Sequence, residues 1–121
     1  MSKPGPRVAI VDNDPGMLEA LEDLLESAGY VACTFLSAGP LLASNLSELD
    51  LLVVDIGIPG MDGFEVRDLV SKTHPELPVF LISGRHDIAD QDHGFFQKPF
   101  DAQALLAAVT GALRAREEGS T

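Results

Sequence analysis

The sequence predicts an α/β domain, a five-stranded parallel sheet with helices on both faces. Three observations carry this. Short apolar runs alternate along the chain with stretches of helical periodicity, as in βα units joined by right-handed crossovers. One run, Leu51 to Gly63 (LLVVDIGIPGMDG), drives four apolar residues straight into Asp55 and then into the breakers Gly57, Pro59, Gly60 and Gly63. A buried parallel strand reads as such a run, and its polar last residue emerges where the strand ends. Finally, polar residues close four of the apolar runs: Asp12-Asn13-Asp14, Asp55, Ser83 and Lys98. In a parallel sheet these would all lie along one edge, where open α/β sheets bind ligands.

The elements follow in order. Arg7 to Val11 is the first strand. Asp14 is placed to cap the next helix, with Pro15 at its first position. Met17, Leu18, Leu21, Leu24, Leu25 and Ala28 recur at helical spacing, and Gly29 fits the stop. Tyr30 to Phe35 is the second strand. Ser37 to about Leu46 is a weaker helix with Pro40 in its first turn. Leu51 to Asp55 is the third strand. Asp62 or Gly63 opens a helix with Phe64, Val66, Leu69 and Val70 on its apolar face, closed by His74-Pro75. Pro78 to Ser83 is the fourth strand and Gly94 to Gln97 a short fifth. Asp101 caps a last helix whose stripe is Leu105, Leu106, Val109 and Leu113, and the polar tail from Arg116 is expected to fray.

Composition bounds the function. At 121 residues and 45% apolar content, the chain is expected to be a single domain, residues 1–121, with its core over about 7–115. The formal net charge of -11 disfavours nucleic acid and anionic membrane as partners and favours a basic protein or a cation. A single cysteine, Cys33, excludes an intramolecular disulfide and points to a reducing compartment, so a cytoplasmic location is expected. The opening MSKPGPR lacks the apolar segment of a signal peptide, and no run is long enough to span a membrane.

The clustered polar residues suggest their own chemistry. Two carboxylates about 5 Å apart repel by roughly 3 kcal/mol at an effective dielectric of about 20. A hard divalent cation relieves this, and Mg²⁺ accepts one or two carboxylates while keeping waters and phosphate oxygens. Asp55 can then attack phosphorus, a reaction that needs mostly positioning and charge stabilisation. Lys98 is a point charge suited to a phosphoryl oxygen and Ser83 a compact hydroxyl donor. Each residue also has a plainer reading. Asp55 and Ser83 can cap turns, Lys98 can be a surface lysine, and Phe95 or its neighbour Phe96 can simply face the core.

IVDNDP, VVDIGIPGMDG, LISG and FFQKPF together resemble the response-regulator receiver domain, in order and over roughly residues 7 to 115. The resemblance implies a flavodoxin-like sheet of order 2-1-3-4-5. It makes Asp55 the phosphoacceptor, with Asp12 and the Gly57 backbone carbonyl as further ligands of Mg²⁺. Ser83 would follow the phosphoryl group and Lys98 pair with it, and Phe95, three residues before Lys98, would be the aromatic switch residue, with Ser83 the other switch position. The Lys98-Pro99 bond would be cis, as X-Pro chemistry permits. The implied partners are a histidine kinase or phosphotransfer protein and an unknown downstream protein, with the receiver itself a monomer or weak dimer.

Three positions depart from the family pattern. Asn13 stands where a second metal-binding carboxylate is usual; its amide oxygen can ligate only without charge, so weaker Mg²⁺ binding is expected. Asp14 can compensate or can act as a cap. The stretch Gly84 to His93 (GRHDIADQDH) leaves the chain about seven residues short, close to two helical turns. With Ile88 and Ala89 as its only apolar residues, the fourth helix is expected to be shortened or absent, and a partner surface built on it is in doubt. His86, Asp87, Asp90, Asp92 and His93 read as a solvated loop rather than a metal site. Lastly, Gly57 and Arg85 occupy positions that tune hydrolysis in the family, and predict a long-lived acyl phosphate.

The leading function is a stand-alone phosphoacceptor receiver that does no catalysis beyond its own phosphorylation and hydrolysis. The alternative is a pseudo-receiver, an interaction module that works without phosphorylation. A remote third reading is a haloacid-dehalogenase-like phosphatase with Asp12 as nucleophile. It leaves PGMDG unexplained.

Overall fold

The computed structural model describes residues 5–83, 95–97 and 101–119. Five strands alternate with helices: β1 (Arg7–Val11), α1 (Pro15–Ser27), β2 (Val31–Phe35), α2 (Ala38–Ala43), a 3₁₀ turn (Leu46–Glu48), β3 (Leu51–Asp55), α3 (Gly63–Thr73), β4 (Val79–Ser83), β5 (Phe95–Gln97) and α4 (Ala102–Gly119). The first four strands take the order 2-1-3-4, and β5 pairs with β4 to complete the sheet. Every pairing is parallel. The expected shortening of a helix between β4 and β5 concerns residues outside those described.

Alternation along each strand sorts the core into two layers. Val8, Ile10, Leu51, Val53, Phe80 and Ile82 pack with Leu18, Leu21 and Leu25 of α1 and Leu105, Val109 and Leu113 of α4. Their neighbours Ala9, Val11, Leu52, Val54 and Leu81 pack on the opposite face with Leu41 of α2 and Val66 and Val70 of α3. Successive strand side chains point to opposite faces, so a run that is apolar at every position demands a covering layer on each.

The helix ends follow their local chemistry. The Asp14 carboxylate accepts the Gly16 N–H at 3.0 Å, and Pro15 occupies the first position of α1. Gly29 ends that helix with φ of +92°, a conformation that carries no steric penalty without a Cβ. Asp62 accepts the Glu65 N–H at 2.9 Å and is the N-cap of α3. Asp101 accepts the Gln103 N–H at 2.9 Å at the head of α4.

Four expectations need correction. The second helix ends at Ala43 rather than near Leu46. There the Ser44 hydroxyl turns back to the Leu41 carbonyl, and Asn45 caps the separate 3₁₀ turn by accepting from Ser47 N–H. Tyr30 lies outside β2; its N–H goes to the Leu25 carbonyl at the end of α1, and its hydroxyl meets Thr110 at 2.8 Å. Leu69 is 41% exposed, because the buried side of α3 runs through Gly63, Val66 and Val70 and leaves Leu69 on its flank. The last helix does not end near Arg116 but continues to Gly119. Arg116 donates to the Asp50 carbonyl at 2.8 Å, a tertiary bond that holds the end of the helix against the turn before β3.

Candidate functional site

The register builds the site. Val11 of β1 lies beside Val54 of β3, so the next residues, Asp12 and Asp55, fall side by side at the carboxyl ends of adjacent strands. Neighbouring strands are about 4.8 Å apart. Asp55 in turn pairs with Ile82 of β4, so Ser83 closes that strand one step further on. These three are the buried polar residues among those described, with Asp12 at 0%, Ser83 at 1% and Asp55 at 7% exposure. Buried polar and charged side chains are uncommon, and their collection at one sheet edge marks a candidate site.

Backbone groups orient both carboxylates. Asp12 Oδ1 accepts the Asp14 N–H at 2.9 Å, while the Asp12 N–H continues the sheet to the Phe35 carbonyl at 3.1 Å. Asp55 Oδ1 accepts the Gly57 N–H at 2.8 Å. Asn13 is exposed between the buried Asp12 and the capping Asp14. Asp14 caps α1, one of the two roles foreseen for it.

The loop after Asp55 is more ordered by packing than its string of breakers suggests. Ile56 and Ile58 are 5% and 6% exposed and belong to the core layer under α3. The sequence reading passed over them, although the alternation Ile-Gly-Ile was the available signal. Gly63 N–H closes the loop onto the Ile56 carbonyl at 3.2 Å.

Beyond β4, Ser83 pairs with Gln97 of β5. Phe96 stacks at a tilt on Phe80, ring centroids 5.8 Å apart, and packs against the core layer under α1 and α4. Phe95 is placed by its backbone opposite Leu81. Lys98 and Pro99 lie outside the described residues, as do Arg85 and the histidine-aspartate stretch around His86 to His93.

The donor set suits a hard cation. Asp12 and Asp55 offer anionic oxygens from adjacent strand ends, and the Gly57 carbonyl follows Asp55 by two residues. Among the described residues no cluster of three or more His, Cys, Asp or Glu forms.

The carboxylate pair at the ends of β1 and β3 lies within a stretch of the chain that one family model matches. The model for the response regulator receiver domain aligns with residues 8–110. The chain belongs to that family. It is therefore a receiver domain of two-component signal transduction, and a receiver is not a classical enzyme. The phosphatase reading gives way on that ground.

Among relatives, the receiver is 36% identical over 121 residues to the C4-dicarboxylate transport transcriptional regulatory protein DctD of Rhizobium meliloti, a match covering 93% of this chain and 26% of that protein. It is 33% identical over 115 residues to the response regulator protein TodT of Pseudomonas putida, covering 88% of this chain and 51% of TodT. The receiver thus spans about a quarter to a half of the length of these relatives. Among solved structures, a CheY-like receiver domain protein from Methanospirillum hungatei JF-1 superposes with a TM-score of 0.85 at 25% identity, covering 95% of this chain and 98% of that one. Receiver domains typically bind Mg²⁺ and are served by histidine kinases. No helix among the described residues is long and apolar enough to cross a membrane.

Proposed function

We propose that this receiver takes a phosphoryl group onto Asp55 from a phosphohistidine of a histidine kinase or phosphotransfer protein, in the cytoplasm, and signals by binding a downstream protein. The observation that carries the reading is the side-by-side burial of Asp12 and Asp55 at the ends of adjacent strands, with Ser83 on the next.

An Asp55 carboxylate oxygen attacks phosphorus and forms the C–O–P bond of an acyl phosphate. The P–N bond breaks in the phosphohistidine whose other ring nitrogen carries a proton; the electron pair stays on the released nitrogen, so the leaving group is neutral imidazole. The Gly57 N–H on Asp55 Oδ1 holds the carboxylate in one orientation, which replaces orientational freedom with a fixed approach. Asp12, Asp55 and the Gly57 carbonyl would hold Mg²⁺, with Asn13 adding at most a neutral oxygen. When bound, the ion offsets the charge that two carboxylates and a phosphoryl group bring together. Ser83 stands at the end of β4 to meet the phosphoryl group, and Lys98 and Phe95 take the pairing and switch roles that the family pattern assigns.

One observation favours a second reading, the pseudo-receiver: the amide at position 13 removes a charge from the metal site. Intact mass after incubation with acetyl phosphate and Mg²⁺ separates the two. The phosphoacceptor gains one phosphoryl group, and Asp55→Asn does not. No gain at any Mg²⁺ concentration, with gain restored by Asn13→Asp, would establish the pseudo-receiver.

A further inference from the structure

We infer that Gly63 is a positioning residue for Asp55, acting through Ile56: its missing side chain lets α3 close on the loop and fixes the residue between Asp55 and Gly57. The inference rests on Asp55 being the phosphoacceptor.

A Cβ at position 63 would stand 2.7 Å from Ile56 Cα, 2.9 Å from Ile56 Cγ2 and 3.0 Å from Ile56 N. Two of these atoms are backbone, so no rotamer change makes room. The approach is bonded as well as close. Gly63 donates to the Ile56 carbonyl at 3.2 Å, and Ile56 donates to the Ile82 carbonyl, immediately before Ser83, at 3.0 Å. Ile56 is therefore gripped between the start of α3 and the end of β4.

Neither side of the grip yields easily. The first turn of α3 is fixed by the Asp62 cap and by Val66, which is fully buried. β4 is an interior strand. A methyl group at position 63 must therefore be absorbed by Ile56 itself. Any shift of Ile56 passes directly to Asp55 on one side and to Gly57, whose N–H binds Asp55 Oδ1, on the other. A Cβ at Gly57, by contrast, would meet Asp55 Oδ1 at an ordinary 3.5 Å. Of the first three glycines that follow Asp55, the one at which a Cβ would collide with neighbouring atoms is the one furthest along the chain from the carboxylate.

The test compares Gly63→Ala with Gly111→Ala, which lies in α4 with nothing within 4 Å of its Cβ position. Amide hydrogen exchange is read at Ile56 and Gly57, and at Ile10 and Val109 as reporters of the core. Phosphoryl incorporation from acetyl phosphate is followed in parallel across donor concentrations. Gly63→Ala is expected to speed exchange at Ile56 and Gly57 at least tenfold while Ile10 and Val109 hold. Incorporation should slow by a similar factor at saturating donor, and Gly111→Ala should match the parent. Unchanged exchange at Gly57, or a rise shared equally by Ile10 and Val109, would overturn the inference. If Gly63→Ala is too unstable to study alone, the Gly111→Ala background, which favours helix at that position, keeps the comparison readable. Failure of the parent chain to take up phosphate sinks the acceptor reading instead, and exchange at Gly57 still decides the positioning.

Discussion

Asp12 and Asp55 end adjacent parallel strands one residue beyond the Val11–Val54 pair, and both carboxylates are buried. Like charges at strand spacing repel each other, and a divalent cation held between them reduces that repulsion.

Replacing one of the two acids should therefore weaken the hold on Mg²⁺. Asp12→Asn keeps an oxygen for the Asp14 N–H and removes one charge. We expect Mg²⁺ affinity to fall at least tenfold, or about 1.4 kcal/mol. Calorimetric titration with Mg²⁺ measures it, and an unchanged affinity would show that Asp12 does not reach the ion.

Asn13→Asp restores a third acid next to Asp12. It should tighten Mg²⁺ binding about tenfold, or about 1.4 kcal/mol, and lower stability when metal is stripped. Calorimetric titration of both forms with Mg²⁺ decides it; equal affinities would mean that side chain 13 does not reach the ion.

The acyl phosphate should outlast minutes in the purified protein, because Gly57, two residues past Asp55, has no side chain with which to hold a hydrolytic water. Adding one, with Gly57→Asn, should shorten the lifetime, since the space allows a Cβ at ordinary contact distance. Decay followed by intact mass after donor removal is the readout, and decay within seconds in the parent would refute the expectation.

Arg116→Ala should cost about 1–2 kcal/mol of stability, because it strips the Asp50 carbonyl of a charged donor at 2.8 Å and frees the end of α4. Urea denaturation tests this, with phosphoryl acceptance unchanged because the bond lies at the opposite end of the sheet from Asp55. A neutral result would assign the helix end to its own propensity.

The strands were legible because each is short and apolar at consecutive positions, and the site because polar residues close three of those runs at Asp12, Asp55 and Ser83. Helix boundaries were legible where a local cap decides them, as at Asp14, Asp62 and Asp101. They were missed where two local interactions compete, as at Ser44, or where the deciding partner is distant in sequence, as with Arg116 and the Asp50 carbonyl. Leu69 looked like a core residue because an apolar side chain at helical spacing reads the same on a flank as on the buried face.

By itself the sequence determined the alternation of strands and helices, the two-layered core and the edge at which Asp12, Asp55 and Ser83 meet, since all three follow from periodicity and from which residue ends each run. Only the tertiary structure decided what surrounds those residues: the grip of Gly63 on Ile56, the burial of Ile56 and Ile58 beneath α3, and the hold of Arg116 on the turn before β3. Those depend on how closely elements approach in space, and no local pattern of residue types records a distance.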